Sequence, residues 1–243
     1  MSIKERLAEI GLKPSSKFGQ NFLREPGVAR RIVEFGKPID APLVVEIGAG
    51  LGALTGELLD LDSNLIAIEI EKKLCSFLRS KYPSIEVINA DARFVDLNLL
   101  GEKMVVFGNL PYSFSTDILF HLVRHYSVID KAILLLQKEF ADRLCAAPGG
   151  RDYGVLTINC GLFGDAVKGD IVPGASFYPK AKVDSMVVII RFRNSPKYGL
   201  DDGDILMFRQ VVEASFFRRR KKIGNSLRSS GLFPSQVVDA CLE

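Results

Sequence analysis

Leu43-Val44-Val45-Glu46-Ile47-Gly48-Ala49-Gly50-Leu51-Gly52 decides the fold of this chain. The first five residues, apolar and β-branched around a single Glu, read as a short strand. The three glycines that follow at alternate positions allow a tight strand-to-helix turn and let backbone approach a ligand that side chains would keep away. The same rhythm continues downstream. Leu65 to Ile70, Ile85 to Ile88, Val105 to Phe107 and Ala132 to Leu136 are further apolar runs separated by helix-length segments. That alternation predicts an α/β fold with a doubly wound, mostly parallel sheet and right-handed crossovers.

After Gly154, Val155 to Leu162 and Met186 to Phe192 read as an antiparallel pair that closes the sheet. Near Asn194-Ser195-Pro196-Lys197 the pattern turns helical and basic. We therefore expect a large domain over 1–194 and a small helical one over 195–243. Upstream, Leu12 to Leu23 reads as a loop packed on the large domain, followed by a helix from Pro26 to Phe35. The final Leu242-Glu243 follows Cys241 abruptly and is set aside as a truncation point or an added remnant.

At 243 residues, 47% hydrophobic and 25% charged, the composition is that of an ordinary globular protein with a sizeable core. No uninterrupted apolar stretch approaches the roughly 18 residues a membrane helix needs. Cys75, Cys145, Cys160 and Cys241 are scattered, without a C-x-x-C pair, which points to a reducing, cytoplasmic setting. His121 and His125, the only histidines, share a helix face without a third ligand nearby and read as packing or surface residues rather than a metal site. A net charge of +3 does not demand a polyanionic partner, so any nucleic-acid contact must come from where the charges lie. From Ala214 to Arg228 there are six basic residues and no acidic one.

Glu69 closes the second strand about 20 residues after the glycine loop, where a carboxylate can accept from both ribose hydroxyls of a nucleoside. Gly48, Gly50 and Ala53 also fit the dinucleotide pattern, so a NAD-type dehydrogenase presents the same picture to this point. Two further residues separate the options. Asp91, after the third strand, is placed to accept from an adenine amino group. Asn109-Leu110-Pro111-Tyr112 ends the fourth strand at the same edge of the sheet. An exocyclic base nitrogen is a poor nucleophile because its lone pair is delocalised into the ring, and methylating it requires that pair to be drawn out. Asn109 offers a side-chain carbonyl and Leu110 a backbone carbonyl to one amino group, Pro111 fixes the turn, and Tyr112 gives a face for a base to stack on. A hydride-transfer enzyme has no use for such a clasp, so S-adenosylmethionine beside a substrate amine accounts for the set better.

With these residues in place the chain resembles the ribosomal RNA adenine dimethyltransferase family, Rossmann-like class I methyltransferases that use S-adenosylmethionine. The resemblance runs through Lys17-Phe18-Gly19-Gln20-Asn21-Phe22-Leu23, the Glu46 to Gly52 loop, Gly108 to Tyr112, Leu136-Gln137-Lys138-Glu139, Lys182-Val183-Asp184-Ser185, Arg219-Arg220-Lys221 and Asn225-Ser226-Leu227. It implies a cofactor pocket lined by Asn21, Leu23, Gly48, Gly50, Glu69, Asp91 and Asn109, and dimethylation of two adjacent adenines near the 3′ end of small-subunit RNA in an immature particle, by a monomer. It also implies Phe177 as a second base-stacking aromatic opposite Tyr112. The related large-subunit methyltransferases of the antibiotic-resistance type commonly carry Ile where this chain has Leu110. A non-catalytic ribosome-assembly role on the same fold is the other alternative.

In the reaction so implied, the adenine nitrogen attacks the sulfonium methyl in line, the carbonyls of Asn109 and Leu110 orient the amine, and no general base is required. Beside such a site, Arg218, Arg219, Arg220, Lys221 and Lys222 read as a phosphate-contacting patch. Where the family usually has three prolines after Phe-x, this chain has Pro179-Lys180-Ala181, which leads us to expect a less rigid loop there. The chain also ends earlier than is usual for the family, so we expect the helical domain to lack its last element.

Overall fold

Strands form where β-branched residues run together and glycine or a polar turn stops them. The structure, a computed structural model, describes residues 1–15 and 19–242. Lys17 and Phe18 of the N-terminal signature lie outside the described residues. In chain order the strands are β1 (Phe22–Leu23), β2 (Leu43–Ile47), β3 (Asn64–Glu69), β4 (Glu86–Asn89), β5 (Met104–Asn109), β6 (Ile129–Gln137), β7 (Gly164–Val172), β8 (Phe177–Tyr178) and β9 (Ser185–Phe192). The helices are α1 (Ile3–Glu9), α2 (Pro26–Glu34), α3 (Thr55–Leu58), α4 (Lys72–Lys81), α5 (Ser115–Arg124), α6 (Lys138–Leu144), α7 (Val155–Gly161), α8 (Asp202–Phe216), α9 (Ile223–Ser230) and α10 (Ser235–Leu242).

Among the described residues β4-β3-β2-β5-β6-β9-β7 form one seven-stranded sheet, parallel from β4 to β6 and antiparallel at β9 and β7. The order reverses between β2 and β5, which lie side by side with Ile47 opposite Gly108. At that switch point no crossover covers the carboxyl ends of the strands, and a crevice opens there. The central strands are buried on both faces, and Val105, Phe107, Ile133 and Leu135 belong to the main core with Ala29 and Ile32 of α2. Among the described residues no helix is long and apolar enough to cross a membrane.

By contact the chain divides into two units, Met1–Ala141 with Gly164–Asn194, and Asp142–Phe163 with Ser195–Glu243. The switch near Asn194 coincides with a unit boundary, but residues 142–163, assigned by sequence to the first domain, group with the second. Their bonds explain it. The Lys197 N–H donates to the Leu162 carbonyl, and Arg219 Nη2 reaches the carbonyls of Arg151 and Tyr153 at 2.6 and 2.7 Å.

Val155 to Leu162, expected as a strand, is helical instead. Its buried positions are Leu156, Asn159 and Cys160, the three- and four-residue spacing of a helix face rather than the alternation of a strand. The strand that joins β9 at the sheet edge is β7, whose ladder shifts register between Lys168 and Ile171. Its glycines and charges hide it from a search for apolar alternation, and they suit an edge that must not recruit another strand.

Candidate active site

The crevice is an open cleft, built within the first unit from the ends of β2 to β5 and from the segment that carries β1. Asn21, Leu23, Gly48, Gly50, Glu69, Asp91, Asn109, Leu110, Pro111 and Tyr112 all line it. The residues expected to hold the cofactor and the amine are therefore brought together, and Phe177 is not among them. Phe177 is 1% exposed, sits in the main core and pairs with Leu23 across β1 and β8, so it presents no open face to a base. Its ring is instead part of the main core, with β8 paired to β1.

Gly48 and Gly50 have φ of +73° and +56°, which L side chains rarely adopt. A Cβ at Gly50 would also come within 3.2 Å of the Phe22 ring. The loop therefore needs glycine both for its turn and for the closeness of β1. Its Gly50 N–H donates to Glu69 Oε2 at 2.9 Å, and the Glu71 N–H donates to Oε1 at 2.9 Å. Each carboxylate oxygen keeps a further acceptor position, which suits a vicinal pair of hydroxyls. Burial raises the Glu69 pKa above the ordinary carboxylate value, while the backbone N–H groups of Glu71, Gly50 and Ile70 oppose the rise.

Glu46, on β2 beside it, is pushed up to about 7 by burial, and the Thr55 hydroxyl donating at 2.5 Å only partly offsets this. Asp91 behaves in the opposite way. Hydrogen bonds from the Arg93 side chain hold its carboxyl below the usual range.

Asn109 Nδ2 donates to the Asn21 carbonyl at 2.9 Å. Because a carbonyl can only accept, the NH₂ end of the amide is committed to Asn21, and Oδ1 is the end left to accept from a substrate amine. The N-terminal segment itself is pinned nearby. Asn21 Nδ2 donates to the Gly19 carbonyl at 3.1 Å, and a Cβ on Gly19 would lie 3.3 Å from the Tyr112 nitrogen.

Tyr112 is fixed at its far end, where its hydroxyl is 2.7 Å from Ser185 Oγ. The Lys182 to Ser185 motif thereby acquires a physical role, since Ser185 anchors the aromatic and the Asp184 carboxylate accepts from the Gly174 N–H at 2.9 Å. Neither role is visible in sequence, where only the motif itself stands out. The Leu110 N–H donates to the Leu135 carbonyl at 3.3 Å, which ties the turn after β5 to β6.

In the second unit, Arg218 to Lys222 form the exposed turn between α8 and α9. Ser226 organises that turn. Its Oγ accepts from the Arg218 N–H and donates to the Ala214 carbonyl, each at 2.8 Å. Arg219 differs from the other four cations, because its guanidinium is spent on the Arg151 and Tyr153 carbonyls.

A family model described as ribosomal RNA adenine dimethylase matches residues 11–242. The chain is 37% identical over 234 residues to "Ribosomal RNA small subunit methyltransferase A" of Magnetococcus marinus, covering 93% of this chain and 83% of that protein. It is 39% identical over 236 residues to the protein of the same name from Desulforapulum autotrophicum, covering 94% and 82%. Among solved structures, a dimethyladenosine transferase from Plasmodium falciparum superposes with a TM-score of 0.75 at 31% identity, covering 85% of this chain and 74% of that one. The 23S rRNA methyltransferase ErmE does so with a TM-score of 0.73 at 29% identity, covering 91% and 88%. With the glycine loop and the Asn109 amide lining one cleft at the switch point, the chain belongs to the ribosomal RNA adenine dimethylase family of S-adenosylmethionine-dependent methyltransferases.

Proposed function

We propose that this enzyme dimethylates N6 of two adjacent adenines near the 3′ end of small-subunit (16S) ribosomal RNA, as a cytoplasmic monomer acting on an immature small-subunit particle. The observation that carries this reading is the Asn109 amide, whose NH₂ is tied to Asn21 and whose oxygen remains to accept from an amine. S-adenosylmethionine, when bound, supplies an electrophilic methyl group. Gly48, Gly50, Glu69 and Asp91 would hold it, the glycines by admitting it to backbone and the carboxylates by accepting from hydroxyls and an amine.

The chain's own residues then position the base. Asn109 Oδ1 and the Leu110 carbonyl accept from the two N–H bonds of the exocyclic amine, which withdraws its lone pair from conjugation with the ring and localises it on the nitrogen, facing the methyl donor. Tyr112, anchored through Ser185, offers a fixed face to an adenine taken out of its stack. The transferred methyl leaves the nitrogen cationic and acidic, so its proton departs to water without a dedicated base. One N–H remains for a second round.

Arg218, Arg220, Lys221 and Lys222 contact phosphates without reading sequence, and the shape of the RNA supplies selectivity. Large-subunit RNA is the other candidate substrate, supported by likeness to ErmE at 29% identity, below the 37% and 39% of the small-subunit relatives. The two are separated by incubating the enzyme with labelled methyl donor and undermethylated small or large subunits, then mapping the modified nucleotides. We expect label in two neighbouring adenines of the small-subunit RNA; label confined to large subunits would overturn the assignment.

A further inference from the structure

Arg93 does not line the cleft, yet it is bonded to one residue that does and stacked on another. Its backbone N–H donates to Asp91 Oδ1 at 3.0 Å. Its Nε lies 3.0 Å from Oδ1 and 3.2 Å from Oδ2, and its Nη2 donates to Oδ2 at 2.6 Å. The guanidinium carbon stands 4.1 Å from the centroid of the Phe114 ring, and Nη1 reaches Asp117 Oδ2 at 3.4 Å. Asp91 follows β4 and Phe114 follows β5, so a single planar cation braces two cleft residues from separate elements.

The count of acceptor positions gives this clamp a consequence. An ionised carboxylate offers about four. The Arg93 N–H and the shorter Nε contact fill Oδ1 and Nη2 takes one position on Oδ2, which fixes the plane of the group; the remaining side of Oδ2 meets only the longer 3.2 Å edge of the shared Nε–H. A carboxylate so held can take one donor in one direction. A freely rotating one would tolerate several ligand edges. The stack on Phe114 resists rotation of the guanidinium, as an ordinary exposed ion pair would not.

We propose that Arg93 is a positioning residue that holds Asp91 ready for the exocyclic amine of the methyl donor's adenine, and so sets the preference for an adenosyl over an inosyl donor. This rests on the assignment of Asp91 to that amine. An inosyl group carries a carbonyl where the amine was, which would face the carboxylate as acceptor against acceptor.

The test is calorimetric binding of S-adenosylhomocysteine and S-inosylhomocysteine to the whole chain and to its Arg93→Leu, Arg93→Lys and Asp91→Asn variants. We expect the unaltered protein to favour the adenosyl ligand by about 100-fold, in keeping with loss of a charge-assisted bond. Arg93→Leu should shrink that ratio at least tenfold, mainly by weakening the adenosyl ligand. Arg93→Lys keeps the charge without the fork and should give an intermediate ratio. A merely structural role would weaken both ligands alike, so a preserved ratio in both Arg93 variants, with the ratio lost in Asp91→Asn, overturns the role of Arg93 alone. No preference in the unaltered protein removes Asp91 from amine recognition, and the role of Arg93 falls with it.

Discussion

Replacing Asn109 with Ala separates what the amide does for the fold from what it does for the reaction. The variant loses the 2.9 Å bond from Nδ2 to the Asn21 carbonyl, a part-buried contact between positions 88 residues apart. Such a bond contributes about 1 kcal/mol, which for a chain of this size lowers the melting temperature by roughly 2–4 °C. The rate should suffer far more. In the proposed reaction Oδ1 is one of two oxygens that draw out the amine's lone pair, and removing one preorganised partner of a reacting group typically lowers kcat by about 10²–10³.

Donor affinity should fall by less than about tenfold, because the glycine loop, Glu69 and Asp91 are untouched and the lost contact is a single bond. Asn109→Asp refines the test. It retains an oxygen but sets a carboxylate against the Asn21 carbonyl where a donor stood, so it too should lose most of its rate. The assay is transfer of a labelled methyl group to undermethylated small subunits at saturating donor, beside calorimetric binding of S-adenosylhomocysteine. Turnover of Asn109→Ala within about threefold of the unaltered enzyme would show that the amide does not activate the amine.

Two other outcomes follow from the electrostatics. The Glu46 pKa is raised from about 4.5 to about 7 by burial, so the folded state binds the extra proton between those values and stability is lost as pH rises through that window. The loss attributable to Glu46 is roughly 3 kcal/mol, and Glu46→Gln should flatten that part of the curve when denaturant midpoints are measured from pH 4.5 to 8; an unchanged slope would clear Glu46 of it. For the basic turn, converting Arg218, Arg220, Lys221 and Lys222 together to Gln should lower the slope of log Kd against log salt for RNA by roughly 3, whereas Arg219→Gln should lower it by less than 1. Equal effects per residue would mean that the carbonyl bonds of Arg219 do not withdraw it from phosphate.

Legibility in sequence tracked how locally each feature is determined. The strands from β2 to β6 were readable because buried parallel strands carry uninterrupted apolar runs, and the glycine loop because its backbone demands the residue type. Val155 to Leu162 misled because Val155, Thr157 and Ile158 are β-branched, while the spacing of Leu156, Asn159 and Cys160 followed the helix. The edge strand β7 was invisible for the opposite reason, its glycines and charges breaking the alternation.

At the site, Asn109, Glu69 and Asp91 could be placed because each stands at the end of a strand, an address the pattern supplies. Arg93, Ser185 and the withdrawal of Arg219 could not. Each depends on a partner, Phe114, Tyr112 or the 151–153 carbonyls, whose proximity exists only in the folded chain. Phe177 was assigned a function by resemblance, and its burial depends on packing that no local pattern reports.

The order of strands also bears on synthesis. One side of β6, among the most apolar strands of the sheet, pairs with β9, and the chain between them makes a detour through α7 and the edge strand. Until residues 138–192 have left the ribosome, Ala132 to Leu136 have no neighbour on that side. At about 5–20 residues per second the gap lasts roughly 3–11 s. A nascent polypeptide with so greasy a flank uncovered is one that chaperones should engage, and slowing translation across that interval should reduce soluble yield without altering the finished enzyme.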